Sequence, residues 1–432
     1  MPQSNVLVNA PIRPERLGEL RSLLSSMNEQ PGVANPENLL FPFAAFPEIH
    51  FARFVILDDR TEGDMAAYNI APASYPVSLA FLADFDGPAE EFRRHAATRA
   101  REGLNKVFSC CEGFSGTSDL AAWMKEHETP PATIYGNWRG RTVTQVHEEN
   151  LLRLALEQFL QAEAASFAAG TPEQTHAALY SFVQKAVREG RLMLTPAPKT
   201  PVTWWIGNVL HLITVPLALL LLAPFLLLYL PIFAWQLRSR EKSDPEIAPR
   251  PELSATEQLA AIEDHDVTNQ FTAMGSVKPG QFRRWTLAFL LWVLNWTTRH
   301  IYTRGRLARV GTIHFARWVF INDKRRMLFA SNYDGSLSTY MDDFINKAGF
   351  GLNLVFSNGL GYPKSRWLIL DGSKDEQKFK YFLRRHQLPT EVWYKAYPGL
   401  TAFDLERNTL LRQGLEKPVL ADAELRRWVA LL

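Results

Sequence analysis

The chain has 432 residues, which is enough for two or three domains that each bury a hydrophobic core. Its content of 47% hydrophobic and 21% charged residues is typical of globular proteins and excludes a mostly disordered chain. The formal net charge of +2 gives no electrostatic reason to bind DNA or RNA, so we expect no nucleic-acid partner.

The first 148 residues predict one unit of mixed strands and helices. Strands are expected near residues 5–13, 49–59, 77–84 and 104–109, and helices near residues 15–27 and 87–101. The resulting order is strand–helix–strand–strand–helix–strand. This order is the βαββαβ arrangement of the ferredoxin-like fold.

Residues 263–432 contain a second copy of this unit. The run IHFAR occurs at residues 49–53 and again at residues 313–317. Asp86–Phe114, aligned without a gap on Asp334–Tyr362, has ten identities in 29 positions. Similarity between two segments of one chain indicates an internal repeat. The similarity continues into an extension after each unit, where His127, Tyr135 and Thr142 match His386, Tyr394 and Thr401.

Three segments separate the copies. Residues 149–200 predict a helical hairpin, residues 201–240 form a hydrophobic insert, and residues 241–262 form a polar linker. The insert contains 34 consecutive residues without a formal charge, from Trp204 to Leu237. Because a membrane span needs only about 20 apolar residues, we expect the insert to enter a membrane, and a buried core helix is the alternative.

Two complete crossings of the bilayer would need about 40 residues and a turn, which is more than the insert provides. The two copies are expected to pair and therefore to lie on one side of the membrane. The sequence therefore predicts a shallow helical hairpin that bends at Pro224 and enters one leaflet. Basic residues on both flanks place its ends on the cytoplasmic face. The helix Trp285–Trp296 is expected to lie against the same leaflet or beneath the insert.

His314 and Arg317 of the second copy are the main candidates for chemistry. Strand alternation would place them on opposite faces, so a purely structural role and a catalytic role both stay open. In the catalytic alternative, His314 is a ligand or general base, and Arg317 and Asn332 stabilise charge. Asp334 precedes a glycine, as Asp86 does, and is expected to cap the helix that follows.

The acidic run Glu263–Asp266 could bind a metal ion, but a solvated helix end explains it more simply, and we predict no metal site. The sequence contains no phosphate-binding glycine loop, no zinc-ligand spacing and no nucleophile elbow.

The two βαββαβ copies, with the IHFAR and NYDGS runs around a hydrophobic insert, resemble the dimeric α+β-barrel superfamily in a tandem, bacterial, membrane-associated form. That superfamily includes dye-decolourising peroxidases, chlorite-dismutase-like haem proteins and small monooxygenases. The resemblance implies an α+β fold in which the two ferredoxin-like repeats pair as one α+β barrel. Asp-Gly also occurs in the signature of the dye-decolourising peroxidases, where the acid is distal to haem, and this suggests a catalytic role for Asp334.

The resemblance implies a peroxidase-like or monooxygenase-like oxidoreductase that acts on a lipophilic substrate from the bilayer, with haem as its cofactor and His314 as the haem-binding residue. The alternative is a non-catalytic lipid-binding or scaffold protein whose barrel is filled by side chains. Both functions are expected at the cytoplasmic face of the inner membrane.

Overall fold

Two four-stranded antiparallel sheets organise the computed structural model, which describes residues 3–116, 119–164 and 170–432. Their strands are β1 (Gln3–Pro11), β2 (Ile49–Leu57), β3 (Ser78–Asp86), β4 (Thr133–Gly136), β5 (Thr268–Ser276), β6 (Ile313–Ile321), β7 (Arg326–Asp334) and β8 (Thr390–Lys395). The first sheet has the order β1-β3-β2-β8, and the second has the order β5-β7-β6-β4. The predicted α+β class is confirmed.

Helices cover the sheets and connect the two halves of the chain. They are α1 (Leu17–Ser25), α2 (Ala89–Arg99), α3 (Arg101–Phe108), α4 (Leu120–Glu126), α5 (Val143–Ala162), α6 (Pro172–Arg188), α7 (Val202–Ser243), α8 (Leu253–Ala260), α9 (Gln281–His300), α10 (Leu337–Phe356), α11 (Glu376–His386), α12 (Ala402–Gly414) and α13 (Asp422–Val429). Helices α5 and α6 lie largely within residues 149–200, the range predicted to form a helical hairpin.

The fourth strand of each sheet comes from the other half of the chain. Strand β8 pairs with β2, so that Trp393 lies opposite Arg53. Strand β4 pairs with β6, so that Tyr135 lies opposite Ala316. The extensions after the two repeats are therefore exchanged, and neither sheet is complete within its own half.

The last strand predicted for each repeat is wrong. Residues 104–109 and 352–357 lie in helices α3 and α10 or at their ends. The apolar residues of each run recur at the helical spacing i, i+3 and i+4, and in both helices they are buried. The eight strands named above form two four-stranded sheets, and no closed barrel is found among the described residues.

The two sheets share one hydrophobic cluster. Leu7 and Leu82 of the first sheet and Val319 and Leu328 of the second belong to it. Because side chains alternate along a strand, the opposite face of each sheet packs against helices. The space between the sheets is therefore a packed core.

The hydrophobic insert forms one continuous helix, α7, so the predicted hairpin is wrong. Its 42 residues correspond to a length of about 63 Å. Pro216, Pro224 and Pro231 lie inside it, and each removes one backbone hydrogen bond of the helix. The helix is long and apolar enough to span or insert into a membrane, and its most apolar part is not buried in the protein.

Both ends of α7 contact α9. Near the start of α7, the Arg299 Nε donates a hydrogen bond to the Asn208 Oδ1 at 2.8 Å. Near its end, the Arg283 guanidinium donates to the Asp244 Oδ2 at 2.7 Å. The middle of α7 is exposed, with Leu228 at 78%. The two helices are therefore antiparallel and joined at both ends of α7.

Candidate functional site

His314 and Asp334 form one buried polar network. The Asp334 Oδ1 accepts hydrogen bonds from the His314 Nε2 at 2.7 Å and from the Thr268 Oγ1 at 3.1 Å. The Asp334 Oδ2 accepts from the backbone N–H of Ala402, the first residue of α12, at 2.7 Å. The carboxylate thus binds a free N–H group where the helix dipole is positive.

The first half repeats this arrangement. Asp86 accepts from the His50 Nε2 at 3.1 Å and from the backbone N–H of Val143, the first residue of α5, at 2.9 Å. The two aspartates were predicted to cap the helices that directly follow them, and that prediction is wrong: Pro88 and Ser336 occupy those N-cap positions. The aspartates bind instead to helices of the two extensions, which matches a structural role in both halves.

Arg317 and Asn332 belong to a second network, between the sheets. Arg317 donates to the carbonyl oxygen of Val6 at 2.9 Å and to the carboxylate of Asp84. Arg53 occupies the equivalent position in the first half and donates to the Ser331 carbonyl oxygen at 3.0 Å and to the Asn332 side chain.

One carboxylate therefore serves two buried guanidinium groups. The Asn332 Nδ2 donates to the Asp84 Oδ2 at 3.3 Å, so Asn332 links the two arginines without supplying a negative charge. Burial and the nearby Arg317 lower the pKa of Arg53 to about 9. The space that Arg53, Asp84, Arg317 and Asn332 help to line is too small for a water molecule. These polar groups satisfy one another and leave no room for a substrate among them.

The predicted opposition of His314 and Arg317 assumed a regular strand. The pairing of β6 with β7 shifts register between Ile313 and Phe315. A bulge of this kind breaks the alternation of side chains and re-aims the residues beside it. The His314 ring is 5.3 Å from the Phe51 ring, in a cluster of aromatic residues from both halves. The four predicted site residues thus lie in two networks, with His314 and Asp334 in one and Arg317 and Asn332 in the other.

The acidic residues Glu263, Asp264 and Asp266, which precede β5, form hydrogen bonds and ion pairs within the protein. Glu263 accepts from Arg384 at 2.8 Å, Asp264 accepts from the N–H of Leu337 at 3.2 Å, and Asp266 binds Lys395 at 2.6 Å. Within the described ranges, no group of three or more His, Cys, Asp or Glu side chains is arranged to hold a metal ion.

A groove of about 830 Å³ lies between α7 and α9. Apolar and aromatic side chains form most of its walls, and Gln236, Arg240 and Gln281 are its main polar residues. A volume of several hundred cubic ångströms and mostly apolar walls are typical of small-molecule sites. The lining residues are Leu226, Tyr229, Leu230, Phe233, Gln236, Arg240, Gln281, Phe282, Trp285, Thr286, Phe289, Leu290, Leu354 and Leu368.

The sequence carried part of the signal for this groove. Because residues 285–296 are mostly apolar, we expected this helix to lie against the leaflet or beneath the insert. The site itself was missed, because a groove between two helices requires knowledge of which faces meet and where they separate. The chain matches no known family model, and no curated protein sequence and no solved structure is significantly similar to it.

Proposed function

We propose that this chain is a membrane-attached lipid-binding protein, the second of the two functions predicted from its sequence. The groove between α7 and α9 carries the proposal, because its walls are mostly apolar and one of them is a helix with an exposed apolar surface. An acyl chain in this groove would remain in contact with the same apolar side chains that enter the bilayer.

The contacts of α7 favour attachment to one leaflet. A helix that crosses a membrane has its ends on opposite sides of a hydrocarbon layer about 30 Å thick. Here both ends of α7 are joined to α9, and α9 packs on the globular body through the buried Leu287 and Leu291. We therefore place α7 along the membrane surface, with its exposed middle in the leaflet. The basic residues at both ends favour the cytoplasmic face.

Two observations support descent from the dimeric α+β-barrel superfamily. The contacts of Arg53 and Arg317 are reciprocal, as expected for two copies related by a two-fold axis. The segments leading into β4 and β8 also bridge the outer strands of the sheets, at Val8–Glu128 and Ala273–Gln387. Such bridges would be remnants of a barrel built from two tandem copies.

The oxidoreductase function stays a prediction with a direct spectroscopic test. If His314 binds haem, the purified protein has a Soret absorbance band that His314→Ala abolishes. The geometry favours a structural role for His314, because its Nε2 is bound to Asp334 and the residue is only 1% exposed.

Lipid retention tests the proposed function. We expect the full-length protein, purified in a mild detergent, to retain about one lipid per chain by native mass spectrometry. Leu230→Trp fills the groove and should abolish retention. Leu228→Trp is the matched control, because Leu228 lies on the same helix, is exposed and does not line the groove. A wild-type protein that carries no lipid above the detergent background would disprove the proposal.

A further inference from the structure

We propose that the groove selects a phospholipid with an anionic headgroup, and that Arg240, Arg284 and Arg325 bind its phosphate at the start of α9. This inference rests on the proposed lipid-binding function and specifies its ligand. Three observations support it: the polarity of the groove, the unpaired state of the arginines and a second cavity beside the start of α9.

The groove has a polar end and an apolar end. Gln236, Arg240 and Gln281 lie towards the end of α7 and the start of α9, whereas Leu226 and Phe289 lie further along the two helices. An amphiphile fits this gradient in one orientation only, with its chain beside Leu226 and Phe289 and its headgroup beside Arg240.

Arg240 carries a charge that no acidic side chain balances in the described part of the chain. No carboxylate lies within ion-pair distance of it, and its buried Nε has no hydrogen-bond partner. Its guanidinium carbon is 5.2 Å from the centre of the Phe282 ring. The neighbouring Arg238, in contrast, is paired with Glu241. An unpaired guanidinium beside an apolar groove favours an anionic ligand.

A second cavity of about 350 Å³ lies beside the start of α9. Arg284 and Arg325 line it, and neither forms an ion pair with another described residue. The only carboxylate in its lining, Glu62, is bound to Arg326 at 3.0 Å. The cavity therefore offers two further cations to a ligand.

Gly280 lies between the two spaces. It lines the cavity, and a Cβ built on it would lie 3.5 Å from the Arg240 Nη1. It is also the N-cap residue of α9, where no side chain caps the free N–H groups and the first turn contains no acidic residue. Free helix N–H groups and guanidinium groups are the usual donors to phosphate oxygens in proteins.

The size and charge of the site decide between lipid classes. A cavity of this volume exceeds what a fatty-acid carboxylate would fill. A choline or ethanolamine headgroup would bring its own cation towards three arginines, which is unfavourable. An acidic phospholipid such as phosphatidylglycerol satisfies both conditions.

Lipid competition tests this inference on the full-length protein in detergent. Phosphatidylglycerol, phosphatidylcholine and oleic acid are added in equal amounts, and the retained lipid is identified by mass spectrometry. We expect phosphatidylglycerol to be enriched about tenfold over each competitor. Arg240→Gln should remove most of this preference while total lipid retention persists, and Arg240→Lys should restore part of it because it keeps the charge.

Arg284→Gln and Arg325→Gln should each weaken the preference, whereas Arg101→Gln, at an exposed position in the first half, should not. Lipid retention without a preference, or a preference that survives Arg240→Gln, would overturn this inference and leave the proposed function intact. A preference for oleic acid would replace the phosphate with a carboxylate and would also overturn it. Absence of every lipid would overturn the proposed function as well.

Discussion

Arg53 and Arg317 occupy equivalent positions in the two halves, and each guanidinium binds backbone carbonyl groups of the opposite half. Both arginines are 3% exposed, and among the described residues Asp84 is the only carboxylate in their shared network. Since a buried cation without a partner is costly, this one carboxylate holds together an interface that carries a net positive charge.

Removing that carboxylate should destabilise the protein strongly. We expect Asp84→Asn to lower the free energy of unfolding by about 3–5 kcal/mol, because it leaves two buried guanidinium groups without a counter-charge. Denaturant or thermal unfolding in detergent measures the change. Arg53→Met in the Asp84→Asn background should recover part of the loss. The exposed Asp323→Asn is the control, and an equal effect there would contradict this account.

Lys278 predicts a pH dependence of stability. Burial lowers its pKa to about 8, although Asp244, with its Oδ2 3.0 Å from the Lys278 Nζ, opposes the shift. Because the pKa is lower in the folded than in the unfolded chain, the folded state releases the proton first as the pH rises from 8 towards 10.5. The free energy of unfolding of wild type, relative to Lys278→Met, should therefore rise by about 1 kcal/mol per pH unit in this range.

Thermal or chemical unfolding of both proteins at pH 7, 8, 9 and 10 measures this difference across the pH range in which Lys278 loses its proton. Lys106→Met, at an exposed lysine of the first half, is the matched control and should show no such slope. A difference between wild type and Lys278→Met that stays constant with pH would contradict the prediction.

The strand exchange couples the two ends of the chain. Trp393 is 5% exposed, stacks on Phe51 at 5.4 Å and lies beneath the Arg53 guanidinium. We expect Trp393→Ala to destabilise the protein by about 3–5 kcal/mol, the usual loss for a large buried aromatic residue. Hydrogen exchange should accelerate in β2, which is remote in sequence but adjacent in space. The more exposed Trp367→Ala should leave β2 protected, and unchanged protection of β2 in Trp393→Ala would exclude the coupling.

The repeat and the α+β class were predictable because the IHFAR runs preserve both periodicity and identity. The last strand of each repeat was predicted wrongly, because short apolar runs such as residues 104–109 fit a strand or a helix equally well. The fourth strand of each sheet was not predictable. Residues 390–395 join the first sheet because of how the two halves pack together, and local sequence does not encode that packing.

The candidate site residues, too, were predictable only where local sequence carried the signal. Pairs of matched residues pointed to His314 and Arg317: Arg317 lies in a hydrogen-bond network that the two halves share, and the His314 ring contacts Phe51 of the first half. Asp84, the partner of Arg317, could not be named, because it comes from the opposite half. The same holds for Tyr397, whose hydroxyl lies 3.0 Å from the Nδ1 of His50 in the first half. The groove was hidden for a related reason: α7 was expected to turn back at Pro224, and a continuous helix places different residues against α9.

The orientation of α7 gives the sharpest prediction for the membrane. We expect both of its flanks to lie on one side, because both ends are joined to α9 on the same globular body. Lys199→Cys and Lys242→Cys place single reporter thiols at exposed positions on these flanks, and Lys106→Cys reports the side of the body. A membrane-impermeant maleimide should label all three in inverted vesicles and none in vesicles of the opposite orientation. The native Cys110 and Cys111 are buried, and their alanine variants remove any background labelling. Labelling of the two flanks from opposite sides would instead establish a spanning helix, and the contacts between α7 and α9 would then have to break in the membrane.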